Sequence, residues 1–363
     1  MSRSHSIAFQ SIRSAFTIIE LLVAVAVTAL LVTFMVTVTT NVLSAWNRSS
    51  GVLTSGNQAR VILDQLSQDL QGAVIRRGPD VMFAASLQES PPAIADRPPG
   101  AEWIANSKPN SVIVGAGVSA SPLLSDTRFG QAGVWLRFFT TPSDNTEVSG
   151  SIPLQNTSAP RAVAYQLSRV KVGSATSEQI SYRLYRSEVR PSHDLPVFAA
   201  RSVFALGYDL FGANAYNQPT NTNSGHNFTG TTDNGGEPGS IRKPDNNQMI
   251  GNDVIDFGVR LFERNATGDL IEIFPVDRRV GSNVVPVFAA TTDTAKRDPF
   301  NSTVTHSFGY PAVAEVFVRI LSQEGVRQLT AFELGLLEGV WWDIAIQHSQ
   351  VYTRRIEIKS KGL

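Results

Sequence analysis

The chain has 363 residues, of which 42% are hydrophobic, and its 31 Lys and Arg residues balance 31 Asp and Glu residues. The absence of a positive surplus disfavours a nucleic-acid binder, because neutralisation of phosphates drives that binding. The absence of cysteine excludes disulfides, thiolate nucleophiles and Cys-ligated metal clusters.

The chain begins with a short polar leader that carries Arg3 and Arg13 and no acidic residue. Between Glu20 and Arg48 lie 27 residues without a charge, and the first part of this run is almost wholly apolar. Since a helix rises ~1.5 Å per residue, about 20 such residues cross the hydrocarbon core of a bilayer. The run therefore predicts a membrane-spanning helix over 16–45, with the basic leader on the cytoplasmic side by the positive-inside rule.

Three interpretations of this N-terminus differ in how they account for Glu20. A secretory signal peptide has an apolar core of about 7–15 residues and a small-x-small cleavage site, whereas this run is longer and lacks a clean site. A plain membrane anchor gains nothing from a carboxylate that costs about 2.5–3.5 kcal/mol at the centre of a membrane helix. The third interpretation comes from the residues around the carboxylate.

Those residues read Ser-Ala-Phe-Thr-Ile-Ile-Glu-Leu-Leu-Val over 14–23. The segment resembles the prepilin signal of type IV pilins and type II secretion pseudopilins, in which a small residue precedes Phe-Thr-x-Ile-Glu-Leu-Leu-Val. The resemblance implies a leader of residues 1–15, cleavage between Ala15 and Phe16 by prepilin peptidase, and N-methylation of the new Phe16 amine. The family usually has glycine before the cleaved bond, and alanine is the smallest substitute for it.

The resemblance also gives Glu20 a role in assembly. A helix dipole disfavours a positive amine at its N-terminus and favours an anion there. In a packed filament, the Glu20 carboxylate of one subunit can neutralise the Phe16 amine of a neighbour. The partners implied are prepilin peptidase, other pilin-like subunits that contact the N-terminal helix, and an assembly platform in the inner membrane.

A second helical pattern follows the uncharged run. Apolar residues recur at i, i+3/i+4 and i+7, which predicts an amphipathic helix over 46–76 with polar residues such as Asp64 and Asp69 on its other faces. Gly51 and Gly56 mark a candidate break between the two helical segments. The apolar stripe consists of Ala59, Ile62, Leu63, Leu66, Leu70, Ala73 and Val74.

The remainder, 77–363, is predicted to be a β-rich domain, because several short runs alternate apolar and polar residues with a period of two. A Pro-, Gly- and Ser-rich stretch, 78–110, predicts a loop, and an Asn- and Gly-rich segment, 214–247, predicts a loop insertion. The predicted fold class is α+β, a pilin-like layout with a long N-terminal helix packed on an antiparallel sheet domain. The predicted strands are 111–114, 134–140, 163–167, 180–186, 203–210, 254–263, 313–321 and 351–358.

A late helix is predicted over 323–347. Its apolar stripe is followed by a tryptophan pair, which would mark a contact surface if exposed. Burial is the preferred interpretation, because large aromatic side chains supply core area. The stripe consists of Leu329, Phe332, Leu336 and Val340, and the pair is Trp341 and Trp342.

The order of the segments resembles the J-type minor pseudopilin of type II secretion, and resembles more closely the prepilin-signal protein C of the Verrucomicrobium/Chthoniobacter gene cassette. The late helix departs from the J pattern, in which the last two strands are joined more directly. The matching pieces are LDQLSQDLQGAV (63–74), YRLYR (182–186), VFALGYDLFG (203–212), PAVAEVFVRIL (311–321) and a last strand with Arg354 and Arg355.

Motifs for chemistry are sparse. Residues 115–120 match G-x-G-x-x-A, but a Ser-Pro pair follows where a dinucleotide site needs a helix. The five histidines form no metal-ligand spacing, and neither a nucleophile elbow nor a P-loop is present. Some pseudopilins bind calcium, and Asp233 and Glu237 in the loop insertion are weak candidates without the EF-hand spacing. The sequence predicts no enzyme, no catalytic residue and no cofactor.

The function predicted from these features is that of a minor pilin- or pseudopilin-like structural subunit in a pilus-like or type II secretion-like envelope filament. Such a subunit spans the inner membrane once, with its leader in the cytoplasm and its C-terminal domain in the periplasm or the filament. The alternative is an inner-membrane-anchored envelope binding domain that does not form filaments.

Overall fold

A computed structural model of the chain describes residues 17–75, 81–87, 133–141, 161–172, 179–189, 246–275, 279–280, 283–284, 287–290, 310–359 and 361–362. These residues form an α+β fold with one long, apolar N-terminal helix and two larger antiparallel sheets. The chain divides into two compact units, Met1–Gly51 and Val52–Leu363.

The helices of the described ranges are α1 (Ile18–Gln71), α2 (Gln323–Glu333) and α3 (Trp341–Gln347), and a 3-10 turn covers Asn246–Gln248 at the end of the predicted loop insertion. The strands are β1 (Val74–Ile75), β2 (Phe83–Leu87), β3 (Val134–Thr140), β4 (Arg161–Val172), β5 (Gln179–Val189), β6 (Met249–Asn252), β7 (Val254–Arg264), β8 (Leu270–Phe274), β9 (Arg279–Val280), β10 (Asn283–Val284), β11 (Val287–Ala290), β12 (Val313–Leu321), β13 (Ser349–Glu357) and β14 (Lys361–Gly362).

The amphipathic pattern after the uncharged run is confirmed, since every residue of the predicted stripe is buried, from Ala59 to Val74. The candidate break is wrong, because α1 is helical through both Gly51 and Gly56. The helix ends five residues earlier than predicted, at Gln71. A side chain at Gly72 would lie 2.7 Å from both Thr140 Oγ1 and Thr141 O, so glycine lets the chain turn close to β3 and enter β1.

Two sheets make up the second unit. The larger has six strands in the order β11-β2-β3-β4-β5-β6, and the smaller has four in the order β13-β12-β7-β8, with all neighbours antiparallel. Two short pairs, parallel β1-β14 and antiparallel β9-β10, lie outside them. Six predicted strands are confirmed as β3, β4, β5, β7, β12 and β13. The other two, 111–114 and 203–210, lie outside the described residues.

Stacked aromatic rings connect the two sheets. Phe138 of β3 stacks on Tyr165 of β4 with ring centroids 6.3 Å apart, and Tyr165 stacks on Phe257 of β7 at 6.2 Å. The chain itself passes between the sheets at Asp253, because β6 belongs to the larger sheet and β7 to the smaller. Asp253 has a φ of +58°, a left-handed conformation that Asp adopts more readily than most residues.

Within the predicted loop 78–110 the chain forms strand β2, which pairs with β3 on one side and β11 on the other. Hydrogen bonding on both edges therefore overrides the turn-rich composition around it. Strands β6 and β8 were likewise absent from the sequence-based prediction. Both are short, with four and five residues, and short runs give a weak periodic signal.

The predicted late helix is two helices, α2 and α3, separated by seven residues. Helix α2 closes in a Schellman motif, in which the Leu336 N–H donates to Ala331 O at 2.8 Å and the Gly335 N–H donates to Phe332 O at 3.0 Å. Gly335 supplies the left-handed residue that this motif requires, with a φ of +73°.

The split also ends the predicted apolar stripe. Leu329 is buried and Phe332 is partly buried, but Leu336 and Val340 are 77% and 55% exposed. The prediction that these four residues form one apolar stripe is therefore wrong for Leu336 and Val340. The burial of the tryptophan pair is confirmed. Trp341 and Trp342 are 3% and 4% exposed, and they pack edge to face with ring centroids 4.8 Å apart.

Candidate functional site

The start of helix α1 is closed by a reciprocal pair of hydrogen bonds between Thr17 and Glu20. The Thr17 N–H and hydroxyl donate to Glu20 Oε2 at 2.9 and 3.0 Å, and the Glu20 N–H donates to Thr17 Oγ1 at 3.3 Å. This arrangement is a capping box, which satisfies backbone donors that have no partner inside the helix. The Thr-x-x-Glu spacing signals it in the sequence, although the only role predicted for Glu20 was that of a partner for a neighbouring subunit.

Beyond Glu20, helix α1 presents an apolar surface in the first unit. Its large side chains are well exposed, for example Leu30 at 70% and Met35 at 70%. The most apolar 18-residue window has a mean hydropathy of 2.7, and none of it is buried. Within the described residues, α1 is the helix that is long and apolar enough to cross a membrane.

Five hydroxyl groups on this surface donate to backbone carbonyl oxygens of the same helix. Thr28 donates to Ala24 O at 2.7 Å, and Thr33 donates to Ala29 O at 2.8 Å. Thr37, Thr40 and Ser44 donate in the same way to carbonyl oxygens three or four residues earlier. Glu20 is the only charged side chain from Ile18 to Trp46.

Several residues singled out in the sequence lie outside the described residues. These are Ala15 and Phe16 at the predicted cleavage site, the calcium candidates Asp233 and Glu237, and the glycine-rich segment 115–120. The described part of the chain contains no group of three or more His, Asp or Glu residues that could hold a metal ion.

A second polar site lies in the second unit, where the end of helix α1 meets the larger sheet. Arg186 of β5 donates to both carboxylate oxygens of Asp69, from Nε to Oδ2 at 2.6 Å and from Nη2 to Oδ1 at 2.9 Å. The Tyr165 hydroxyl of β4 donates to Asp69 Oδ2 as well. Asp69 was predicted to lie on a polar helix face, but its side chain is only 7% exposed.

This Asp69 cluster extends along the sheet. Arg186 Nη1 donates to Glu188 Oε2 at 2.7 Å, and Arg161 Nη1 donates to Glu188 Oε1 at 2.7 Å. The Thr140 hydroxyl donates to the backbone carbonyl of Asp69 at 2.7 Å. Burial and the negative charge of Asp69 raise the pKa of the Tyr165 hydroxyl well above its usual value.

The Asp69 cluster has a structural role. Tyr165 is fully buried, its raised pKa keeps the hydroxyl protonated, and Asp69 already accepts three hydrogen bonds from side chains. A general base or a nucleophile needs access to a substrate, which these buried and mutually bonded groups do not have. The cluster holds the C-terminal turns of α1 against strands β4 and β5.

A small cleft lies beside helix α2, between Tyr182, Asp253 and Glu333. Tyr182 Oη and Trp341 Nε1 both donate to Glu333 Oε1, the latter at 3.0 Å. Burial raises the pKa of the Asp253 carboxyl, and the charge of Arg183 only partly opposes this effect. The cleft measures about 10 Å³, which is room for roughly one water molecule and not for an organic ligand.

Comparison with known proteins adds no relative. No protein-family model matches the chain, and neither a curated protein nor a solved structure is similar to it. Of the two polar sites, the Asp69 cluster is explained by packing, and the start of α1 is the candidate functional site.

Proposed function

We propose that this chain is a minor pilin- or pseudopilin-like structural subunit, which prepilin peptidase processes and which assembles into a pilus-like or type II secretion-like envelope filament. The observation that carries the proposal is the placement of Glu20. It is the only charged residue between Arg13 and Arg48, and it lies in the Phe-Thr-Ile-Ile-Glu context of a prepilin signal. The long helix with an exposed apolar surface behind it supports the same function.

The proposed chemistry is processing and packing, with no catalytic step by this chain. Cleavage after Ala15 frees a positively charged amine on Phe16, one residue before the capping box. An isolated carboxylate or ammonium in the bilayer costs several kcal/mol, and pairing the two offsets part of that cost. Glu20 and the Phe16 amine of a neighbouring subunit therefore favour packing of the helices in one register.

The basic leader and the positive-inside rule support a single-pass orientation in the inner membrane. In this orientation the leader is cytoplasmic, where prepilin peptidase removes it. The β-rich second unit then lies in the periplasm or on the filament. An assembly platform in the membrane would extract the processed subunit into the filament.

A second candidate function is that of a membrane-anchored envelope domain that forms no filament. The capping box favours it, because Thr17 engages the Glu20 carboxylate without any neighbouring subunit. In this case the carboxylate serves to begin the helix, and its charge has no further partner.

Three variants separate the two functions. Glu20→Gln removes the charge but keeps a side-chain oxygen for the capping box, Glu20→Ala removes both, and Thr17→Val removes the hydroxyl but keeps the charge. Each variant is expressed at wild-type level in the native host, and its presence in sheared filaments is compared with its presence in the inner membrane. We expect both Glu20 variants to stay in the membrane and Thr17→Val to assemble.

Mass spectrometry of the mature N-terminus provides an independent test. The proposal requires a chain that begins at N-methylated Phe16, and it requires Glu20→Gln to be cleaved normally while failing to assemble. An intact Met1 end, or filaments that contain Glu20→Gln at wild-type abundance, would contradict it and favour the anchored domain.

A further inference from the structure

Five Asn-x-Ser/Thr triplets with no proline in the middle position occur in the sequence, and this triplet is the acceptor for N-linked glycosylation. The triplet is expected to act as an acceptor on a surface loop of an exported protein. Three of the five lie outside the described residues, one lies within helix α1, and one lies in a described loop. The five asparagines are Asn47, Asn156, Asn227, Asn265 and Asn301, and Asn265 is the one in the loop.

The Asn265 triplet forms the tip of the hairpin that joins β7 to β8. The Asn265 N–H donates to Asp269 O at 3.0 Å, and the Gly268 N–H donates to Asn265 O at 3.0 Å. Gly268 has a φ of +89°, so the turn ends in one left-handed residue, which is a common way to close a hairpin. Strand β8 is an edge of its sheet, so within the described ranges no strand pairs with the outer side of this hairpin.

The tip of the hairpin is open to solvent. Ala266, Thr267, Gly268 and Asp269 are exposed, and Asn265 is half-buried. An added Cβ at Gly268 would meet no atom within 4 Å. The turn therefore has room for a bulky, hydrophilic group beside the asparagine.

The side chain of Asn265 is held through its carbonyl oxygen. Asn265 Oδ1 accepts from the Thr267 N–H at 3.0 Å and from the Asp269 N–H at 2.8 Å. The Thr267 hydroxyl lies 2.7 Å from the same oxygen and 2.6 Å from Asp269 Oδ2. The hydroxyl residue of the triplet is thus in direct contact with the asparagine amide. Donors at Oδ1 stabilise the negative charge that develops on this oxygen when Nδ2 loses a proton.

We propose that Asn265 is a site of N-linked glycosylation, modified by an envelope glycosyltransferase that uses a lipid-linked sugar diphosphate as donor. In the transfer, Asn265 Nδ2 forms a bond to the anomeric carbon of the sugar, and the bond from that carbon to the diphosphate oxygen breaks. The diphosphate leaves with the bonding electron pair, and one Nδ2 proton passes to a base of the transferase. This inference rests on the orientation given in the proposed function, because it requires the second unit to lie outside the cytoplasm, but it makes no use of Glu20.

Mass spectrometry of the Asn265 peptide tests the proposal on the full-length chain, purified in detergent from the envelope of the native host. We expect the wild-type peptide to carry a glycan. Thr267→Ser keeps the hydroxyl of the triplet and should keep the glycan, whereas Thr267→Ala should lose it. Asn252 is the internal control, because it is exposed but has no Ser or Thr two positions later, and its peptide should be unmodified.

Asn265→Asp is the matched control for the structural role of asparagine in the turn. Aspartate keeps an oxygen that accepts from the two backbone N–H groups but lacks the amide nitrogen, so the hairpin should persist while the glycan is lost. Circular dichroism checks that this variant and Thr267→Ala fold. A glycan on the same peptide in Asn265→Asp or Thr267→Ala would overturn the assignment to this triplet.

Proteolysis of intact spheroplasts separates a failure of this inference from a failure of the proposed orientation. If the protease digests the second unit and the wild-type Asn265 peptide is unmodified, the inference is overturned and the orientation stands. If the second unit is protected and Asn265 is unmodified, both are overturned. A glycan on a protected second unit would indicate a cytoplasmic sugar nucleotide, and it would overturn the lipid-linked donor.

Discussion

Arg186 on strand β5 holds Asp69 on helix α1 through two hydrogen bonds, although 117 positions separate the two residues in the sequence. The pair is buried, and the Tyr165 hydroxyl and Glu188 complete its hydrogen bonding. A buried charge is stable only when it is paired in this way. The end of the long helix is therefore fixed to the larger sheet by electrostatics as well as by apolar packing.

The first prediction concerns this pair. Asp69→Asn keeps the size of the side chain but leaves the Arg186 guanidinium without its main counter-charge, so it should lower the free energy of unfolding by about 3–5 kcal/mol. Denaturant unfolding of the full-length chain in micelles measures the change. Asp64→Asn is the matched control on the same helix, because Asp64 is half exposed in its ion pair with Arg354. Equal losses in the two variants would show that the Asp69 pair is not the anchor described above.

The second prediction concerns apolar packing of the same helix. Leu66 is fully buried in the core, so Leu66→Ala should lower the free energy of unfolding by about 2–5 kcal/mol through lost contacts and a cavity. Val61 lies on the same helix and is 63% exposed, and Val61→Ala should change the free energy by less than about 0.5 kcal/mol. If the two variants unfold at the same denaturant concentration, the assignment of the buried face is incorrect.

The third prediction concerns pH and compares two carboxyls whose pKa values shift in opposite directions. Burial raises the pKa of Asp253, so its ionisation in the folded state costs stability as the pH rises above the unfolded value of 3.8. Asp253→Asn should therefore raise the melting temperature at pH 7, with a gain that shrinks towards pH 4. Asparagine also tolerates the left-handed backbone at this position.

Asp269 provides the comparison. Hydrogen bonds from Thr267 and Asn265 lower its pKa, so its stabilising contribution is present above pH 3.8 and is lost as the pH falls. Asp269→Asn should lower the melting temperature at pH 7, with a loss that shrinks in acid. Thermal unfolding followed by circular dichroism between pH 4 and 7 measures both variants, and shifts of the same sign at pH 7 would contradict the assigned causes.

The fourth prediction concerns the break between helices α2 and α3. A Cβ at Gly335 would meet no atom within 4 Å, so Gly335→Ala should cost about 1 kcal/mol through backbone strain alone. Gly335→Asn should cost less, because Asn adopts the left-handed conformation more easily. A gain in both helix content and stability for Gly335→Ala would instead indicate that one continuous helix is accessible.

The parts of the fold that the sequence predicts are those with long, regular patterns. The stripe from Ala59 to Leu70 carries enough apolar residues at one period to identify the helix and its buried face. The strands β3, β7 and β12 are long and apolar enough to be identified as strands, although β3 is buried on both faces. Strand β2 was missed because its order depends on hydrogen bonds to β3 and β11, which lie far along the chain.

The polar sites were harder to predict for different reasons. The pairing of Asp69 with Arg186 depends on the packing of a helix on a sheet, and no local spacing encodes it. The capping box at Thr17 and Glu20 is local and readable as Thr-x-x-Glu. Glu20 was instead interpreted as a partner for a neighbouring subunit, because residues 14–23 resemble a prepilin signal. The break at Gly335 was also readable, since glycine at this position ends a helix at low cost.

Asp253, the single residue between β6 and β7, affects how the second unit unfolds. Asp253 joins the edge of one sheet to an inner strand of the other, so the larger sheet cannot release β6 without pulling on the pairing of β7 with β12 and β8. The two sheets also share one hydrophobic core, so we expect them to unfold as one cooperative unit. Amide protons in β5 and β12 should exchange with solvent at matched rates under conditions that favour global opening.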